Sequence, residues 1–153
     1  MIETRLANKF DVDYFIKMVN LVQKLEHNFD LPITPLSNTH LSKVFTQIIA
    51  GAGICVIVHD GNKNIGLAAG IISPNIWSPE TYILNQILLF VDEEYRNTRA
   101  GYKLIKEYND ISQDMIEQHR IHYAILTASE PMFEMDFSRF GYELKEKLWV
   151  LGE

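Results

Sequence analysis

The chain has 153 residues, the length of one domain, which excludes a multidomain machine; 47% hydrophobic and 22% charged residues are enough to fill one core without metal or disulfide and exclude disorder. Fourteen Lys and Arg against twenty Asp and Glu leave a formal charge of -6, which opposes phosphate-dominated nucleic-acid binding and suits a basic or neutral partner.

Residues 2–6 read as a short strand. Glu3 and Arg5 stand where a secretion signal needs an apolar stretch, so no signal peptide is expected and the expected compartment is the cytoplasm. Asp11 is expected to cap an amphipathic helix in which Val12, Phe15, Ile16, Val19 and Val22 recur at helical spacing, ending near His27. A loop over 28–38 carries Pro32 and Pro35. A second helix follows on Leu41, Val44, Phe45, Ile48 and Ile49, closed by Gly51 and Gly53.

The period then changes to that of strands. Ile54–His59 and Ile65–Ile72 flank Asp60-Gly61-Asn62-Lys63-Asn64, hairpin chemistry that predicts two antiparallel neighbours. Cys55, the one cysteine, excludes an internal disulfide and reads as a small buried core residue. After a loop with Pro74 and Pro79 comes a long strand over Tyr82–Val91, a polar turn, and a helix with Leu104, Ile105, Tyr108, Ile111, Met115 and Ile116 on one face. A strand over Ile121–Thr127 completes a strand-helix-strand unit of the kind that forms a parallel pair. A short helix around 130–139 and a final strand from Tyr142 to Leu151 end the chain. No repeat or linker interrupts the sequence, so 1–153 is treated as one domain. No apolar run approaches the roughly twenty residues needed to cross a bilayer.

Several chemistries lack their minimum parts. Gly51-Ala52-Gly53 fails as a dinucleotide fingerprint, and there is no Gly-Lys-Ser/Thr phosphate loop and no Gly-x-Ser-x-Gly elbow. His119 and His122 read as a surface pair and no metal is expected. Asp92, Glu93 and Glu94 read as a solvated acidic turn.

The element order β-α-α-β-β-β-α-β-α-β, with Leu88 to Leu104 at its centre, resembles the GNAT superfamily of acyl-CoA-dependent N-acyltransferases over nearly the whole chain. In that family a strand ending in a Val-Asp-Pro-Glu-Tyr-like stretch runs into an Arg/Gln-x-x-Gly-x-Gly/Ala loop and a helix. Here Arg96 and Gly101 take the first and last motif positions, and Arg99 replaces the first glycine. The Tyr95-Arg96-Asn97-Thr98-Arg99-Ala100-Gly101 form resembles phage-like members. A turn entering a helix N-terminus aims unpaired N–H groups one way, which suits an anion. The resemblance implies that Asn97, Thr98, Arg99, Ala100, Gly101 and Tyr102 supply amides to the pyrophosphate of acetyl-CoA, that Arg96 and Arg99 add charge, and that the N–H groups near Phe90 and Val91 polarise the acetyl carbonyl.

The same resemblance implies a mixed, mostly antiparallel α/β sheet whose third meander strand and following parallel strand part to admit the pantetheine arm. Gly141-Tyr142 matches the family's C-terminal signature, but Phe137 stands where a tyrosine often protonates the departing thiolate, so that role is unfilled or falls to another group such as Tyr142 or water. The positions where a carboxylate often serves as base are Asn85 and Gln86, amides that either position substrate or water or hold the strand. Glu26 and His27 line the acceptor side or form a solvated helix end, and Trp77 borders the acceptor site or packs as a lid. The expected reaction is acetyl transfer to a small-molecule or protein amine in a ternary complex. Rival readings are a GNAT-fold protein that binds acyl-CoA or a partner protein without catalysis, and an interaction module without the coenzyme. Neither nucleic acid nor membrane is an expected partner, and a homodimer is compatible with the sequence.

Overall fold

The computed structural model describes residues 1–27, 35–127, 136–146 and 151, with the side chains of Glu26 and His27 outside that set. Five strands form one sheet in the order β1-β2-β3-β4-β5. They are β1 (Ile2–Leu6), β2 (Gly53–Asp60), β3 (Lys63–Pro74), β4 (Tyr82–Val91) and β5 (Tyr123–Ile125). The first four pair antiparallel and β5 runs parallel to β4. Helices α1 (Val12–His27) and α2 (Asn38–Gln47) cover one face, and α3 (Ala100–Glu117) covers the other. This is the mixed, mostly antiparallel architecture expected from the element order.

The two faces carry separate cores because strand side chains alternate. Cys55, Ile57, Leu67, Ala69, Leu88 and Phe90 pack with Phe15, Met18, Val22, Phe45 and Ile48 of the α1 and α2 side. Val56, Val58, Ala68, Leu84, Leu89 and Val91 pack with Leu104, Ile105, Tyr108 and Met115 of α3. Cys55 is 3% exposed, and burial pushes its thiol up to about 12. The β2–β3 hairpin closes tightly, with Asp60 paired to Lys63 around Gly61-Asn62. A left-handed backbone at Gly51 (φ 114) turns the chain out of the π-helical turn that follows α2.

Asp11 does not take the expected capping position. Asn8 caps a 3-10 turn over Lys9–Asp11 by accepting from the Phe10 amide, and α1 begins only at Val12. Asp11 closes the capping box from the far end, accepting from the Asn8 amide at 2.8 Å. Its carboxylate is also gripped by both guanidinium nitrogens of Arg5, at 2.8 Å each. The demand for a partner to Arg5 of β1 thus outweighs a simple cap, and one 7% exposed carboxylate ties β1 to the start of α1.

The C-terminal expectations fare differently. A 3-10 turn over Phe137–Phe140 is present, and the remainder of the helix expected around 130–139 lies outside the described residues except at 136. Residues 142–146 are not a strand. Their alternating pattern suggests one, but Leu144 is 90% exposed, so no face of the segment is buried against a sheet. The rest of the expected strand, 147–150, and the expected loop over 28–34 lie outside the described residues. No helix among the described residues is long and apolar enough to cross a membrane.

The Arg5–Asp11 pair sets a pH dependence. The Arg5 guanidinium holds the Asp11 carboxyl below the usual carboxylate range, with the Asn8 amide adding to the effect. A depressed folded-state pKa stabilises the fold above the unfolded carboxylate value near 4 and loses that contribution as pH falls through the folded value. Denaturant unfolding of Asp11→Asn should therefore give a stability lower by about 2–3 kcal/mol at pH 7, and the gap to the parent chain should narrow below about pH 4.

Candidate active site

The central feature is a fork between β4 and β5. The parallel ladder runs only through Ile83↔Tyr123, Leu84↔Ala124 and Asn85↔Ile125. At its foot His122 donates its amide to the Tyr82 carbonyl at 2.8 Å, and His122 Nδ1 accepts from the Tyr82 amide at 3.0 Å. At its head Gln86 Oε1 accepts from the Thr127 amide at 2.9 Å. From there to Val91 the β5 side of β4 has no strand partner among the described residues.

The fork begins where β4 bulges. Ala69 pairs with Leu88 and Gly70 with Gln86, so Ile87 is an extra residue, 44% exposed. A bulge bends its strand and raises its twist, which swings the second half of β4 away from the line of β5. The partner position needs Gly70: a Cβ there would collide with the Tyr108 hydroxyl and crowd Leu84 Cδ1 and the Asn85 carbonyl. Tyr108, fully buried on α3, keeps its hydroxyl at this point with no hydrogen-bond partner among the described residues.

Backbone polarity in the open half follows from the register. Asp92 donates its amide to the Ile65 carbonyl at 2.8 Å, which makes these two a hydrogen-bonded antiparallel pair. Antiparallel pairs alternate, so Phe90 and Leu88 also turn their polar groups toward β3, while Leu89 and Val91 turn theirs away, into the fork. The Val91 carbonyl accepts there from Arg96 Nε at 2.9 Å. The amide of Phe90, expected to face a ligand, therefore belongs to the sheet, and that of Leu89 takes its place. Only the register, counted from Asp92, identifies Leu89.

The loop after β4 ends in a set of free donors. Tyr95 accepts from the Thr98 amide and hydroxyl, and Thr98 Oγ1 accepts from the Ala100 amide at 3.2 Å. The hydroxyl thus takes the amide that would otherwise be one more orphan at the start of α3. Arg99 has no side-chain acceptor to cap the helix, and its carbonyl accepts the first helical bond, from Lys103. The amides of Asn97, Arg99, Gly101 and Tyr102 have no protein partner among the described residues. Thr98 and Ala100 of the expected set are used within the loop. Arg96 lies with its guanidinium over the Phe90 ring at 5.2 Å, and Arg99 lies over Tyr102 at 5.5 Å.

The acids of the turn face elsewhere. Glu94 accepts from Lys63 at 2.6 Å. Tyr95 donates its hydroxyl to Asp60 at 3.0 Å. Asp92 departs from the expected solvated loop: it is half-buried, and desolvation pushes its pKa up, with Lys63 pulling against that shift.

The remaining candidates separate. Asn85 donates to Ser73 Oγ at 2.8 Å, and Gln86 clips Thr127, so both amides hold strands together. The Tyr142 hydroxyl is buried without a partner among the described residues; burial pushes its pKa up, neighbouring Ser112 opposes the shift, and Tyr142 in turn raises that of Tyr108. Phe137 is half-buried beside the α3 core. Trp77 is 88% exposed, so it is no lid over the described residues, and its loop leads into the start of β4 while the amide row follows the end of that strand. A ten-residue strand separates the two, roughly 30 Å. The side chains of Glu26 and His27 lie outside the described residues. Among the described residues no group of three or more His, Cys, Asp or Glu could hold a metal ion.

No family model matches the sequence, and no curated protein matches it. Solved structures do match. A predicted acetyltransferase from Clostridium acetobutylicum, crystallised with acetyl-CoA, superposes with a TM-score of 0.71 at 14% identity, covering 99% of this chain and 96% of that one. The aminoglycoside acetyltransferase meta-AAC0020 from an uncultured soil metagenomic sample gives 0.66 at 18%, covering 99% and 94%. Glucosamine-6-phosphate N-acetyltransferase from Arabidopsis thaliana gives 0.66 at 13%, covering 98% and 97%. The chain has the fold of the GNAT acetyltransferases.

The contact between Gly70 and Tyr108 is testable as a pair. Gly70→Ala should destabilise the fold by about 1–3 kcal/mol in denaturant unfolding, because the sheet and α3 must shift to admit one methyl group. In a Tyr108→Phe background, which removes the colliding oxygen, the same substitution should cost measurably less.

Proposed function

We propose that the chain is a single-domain N-acetyltransferase that moves an acetyl group from acetyl-CoA to a primary amine by direct attack in a ternary complex. The observation that carries this reading is the row of amides from Asn97 to Tyr102, four of them without a partner among the described residues, which runs into α3 directly after the open half of β4. Amides of this kind, next to guanidiniums with no acidic partner among the described residues, suit a pyrophosphate in both charge and geometry. The amides of Asn97, Arg99, Gly101 and Tyr102 would hold it, with Arg96 and Arg99 adding charge. The fork offers an extended channel lined by unpaired backbone, which suits a pantetheine arm with its own amide groups.

Acetyl-CoA would supply a thioester whose carbonyl carbon the neutral amine attacks, forming the C–N bond as the C–S bond breaks and the thiolate departs. Leu89 and Val91, two residues apart on a strand, would present N–H groups about 7 Å from each other: that of Val91, nearer the amide row, would meet the pantetheine arm, and that of Leu89 would donate to the carbonyl oxygen where negative charge develops. No carboxylate stands at positions 85 and 86, so the ammonium proton is assigned to water, and the thiolate receives its proton from Tyr142 or water. Positioning supplies the greater part of the rate in such a scheme. The acceptor is proposed to be a cationic amine, small molecule or protein, drawn by the charge of -6. That two of the similar structures are an aminoglycoside acetyltransferase and a glucosamine-6-phosphate N-acetyltransferase supports an amine acceptor.

A second reading, coenzyme or partner binding without catalysis, is favoured by one set of facts. Both amides at the base positions are engaged in holding strands, and Phe137 stands where the family often has its acid.

Calorimetric titration with acetyl-CoA should give a Kd of about micromolar order, and an amine screen read by thiol release then separates the two readings. Gly101→Glu should abolish binding while preserving the melting temperature, since an acidic residue is tolerated in a first helical turn but repels a phosphate there. Unchanged affinity in that folded variant would remove the amide row from the site.

A further inference from the structure

Beside the amide row stands an arginine, Arg139, that the scheme above does not use. The ring of Tyr102 meets three side chains: Arg99 of its own loop at 5.5 Å, Arg139 of the C-terminal 3-10 turn at 5.8 Å, and Phe140 at 5.6 Å. Two guanidiniums on one aromatic ring repel each other, and the ring's attraction for each is modest at an exposed site. An acid between them would be the ordinary remedy. No carboxylate among the described residues forms an ion pair with either arginine. Asp136, the acid next to the turn, accepts from the Ser138 amide at 3.0 Å and feels the Arg139 charge only from beyond ion-pair distance. In a chain with six more acids than bases, two arginines from distant stretches meet on one ring with no ion pair to either among the described residues.

We infer that Arg139 and Arg99 together bind the 3′-phosphate of the coenzyme's ribose, as a site separate from the amides that take the pyrophosphate. The inference rests on the coenzyme reading above. The chemistry fits a terminal phosphate monoester: it is a dianion near neutral pH, it presents three oxygens, and a pair of guanidiniums can grip it from two sides. The placement fits as well. Tyr102 belongs both to the row of free amides and to this cluster, so the two anion sites adjoin across one residue. The pyrophosphate needs close backbone approach, which Arg139 lacks because it enters from another part of the chain. Tyr102 and Phe140 serve as the platform that aims the two arginines.

The test compares CoA with dephospho-CoA, which lacks only the 3′-phosphate, by calorimetry at fixed salt. The parent chain should bind CoA about tenfold more tightly than dephospho-CoA, as charge-assisted contacts at a partly exposed site imply. Arg139→Gln should shrink that ratio to about twofold while leaving the affinity for dephospho-CoA unchanged, and Arg139→Lys should keep most of the ratio. Circular dichroism melts confirm that the variants are folded. A ratio near one in the parent chain, an unchanged ratio in Arg139→Gln, or an equal loss for both ligands would overturn the assignment while the coenzyme reading stands. Failure of a folded parent chain to bind either ligand would overturn both.

Discussion

Beyond Asn85 the central strand has a neighbour on one side only among the described residues, and this stretch of backbone governs the rest of the structure. A sheet interior satisfies every N–H and C=O; a strand that parts from its neighbour leaves a row of them to be met by something else. The parting has local causes. An extra residue at Ile87 bends β4, a glycine opposite makes room for the Tyr108 hydroxyl, and Gln86 bridges the last point at which β5 is within reach. The chain then turns at Arg96–Arg99 and starts α3 with further amides that have no partner among the described residues, so two sets of such donors adjoin.

Charge is arranged around that region with more order than the net value suggests. Two acids near the turn are occupied on the hairpin side, Glu94 by Lys63 and Asp60 by the N-terminal ammonium and the Tyr95 hydroxyl. Arginines fill the other side and lie against aromatic rings, with Arg96 on Phe90 and Arg99 on Tyr102. An aromatic face holds a guanidinium in place without neutralising it. The result is a basic patch on an acidic protein, and it coincides with the start of α3.

Most of the architecture could be read from periodicity. The bounds of β4 at Tyr82 and Val91 follow from an apolar run stopped by Pro79 and Asp92, and the α3 stripe from Leu104 to Ile116 is the stripe that faces the sheet. What escaped were features that depend on partners distant in sequence. One added residue at Ile87 leaves the apolar content of β4 unchanged, so the bulge leaves no trace in the pattern. Asn85 and Gln86 read as amides of undecided purpose, and only the arrival of Ser73 and Thr127 beside them decides it. Asp11 looked like a cap because a cap needs only local geometry, whereas its partner Arg5 belongs to a strand whose orientation the pattern does not reveal. At 142–146 alternation without burial misled, since a period of two predicts a strand only where one face is covered. Of the site, the glycine and arginines of the loop were legible because that motif is contiguous. The proposed parts of Leu89 and Arg139 were not, because one depends on hydrogen-bond register and the other on a contact between the C-terminal 3-10 turn and the start of α3.

The burial of Cys55 has a practical side. Thiol reagents attack the thiolate, and a sulfur 3% exposed with its pKa pushed up to about 12 is almost wholly protonated and shielded at neutral pH. The folded chain is in effect a cysteine-free scaffold. A cysteine placed at an exposed point such as the tip of the Trp77 loop would become its sole reactive handle, so one dye could be attached there without removing the native residue. The silence of Cys55 also doubles as a foldedness gauge, since any slow uptake of reagent by the unaltered chain would report opening of the core beneath α1 and α2.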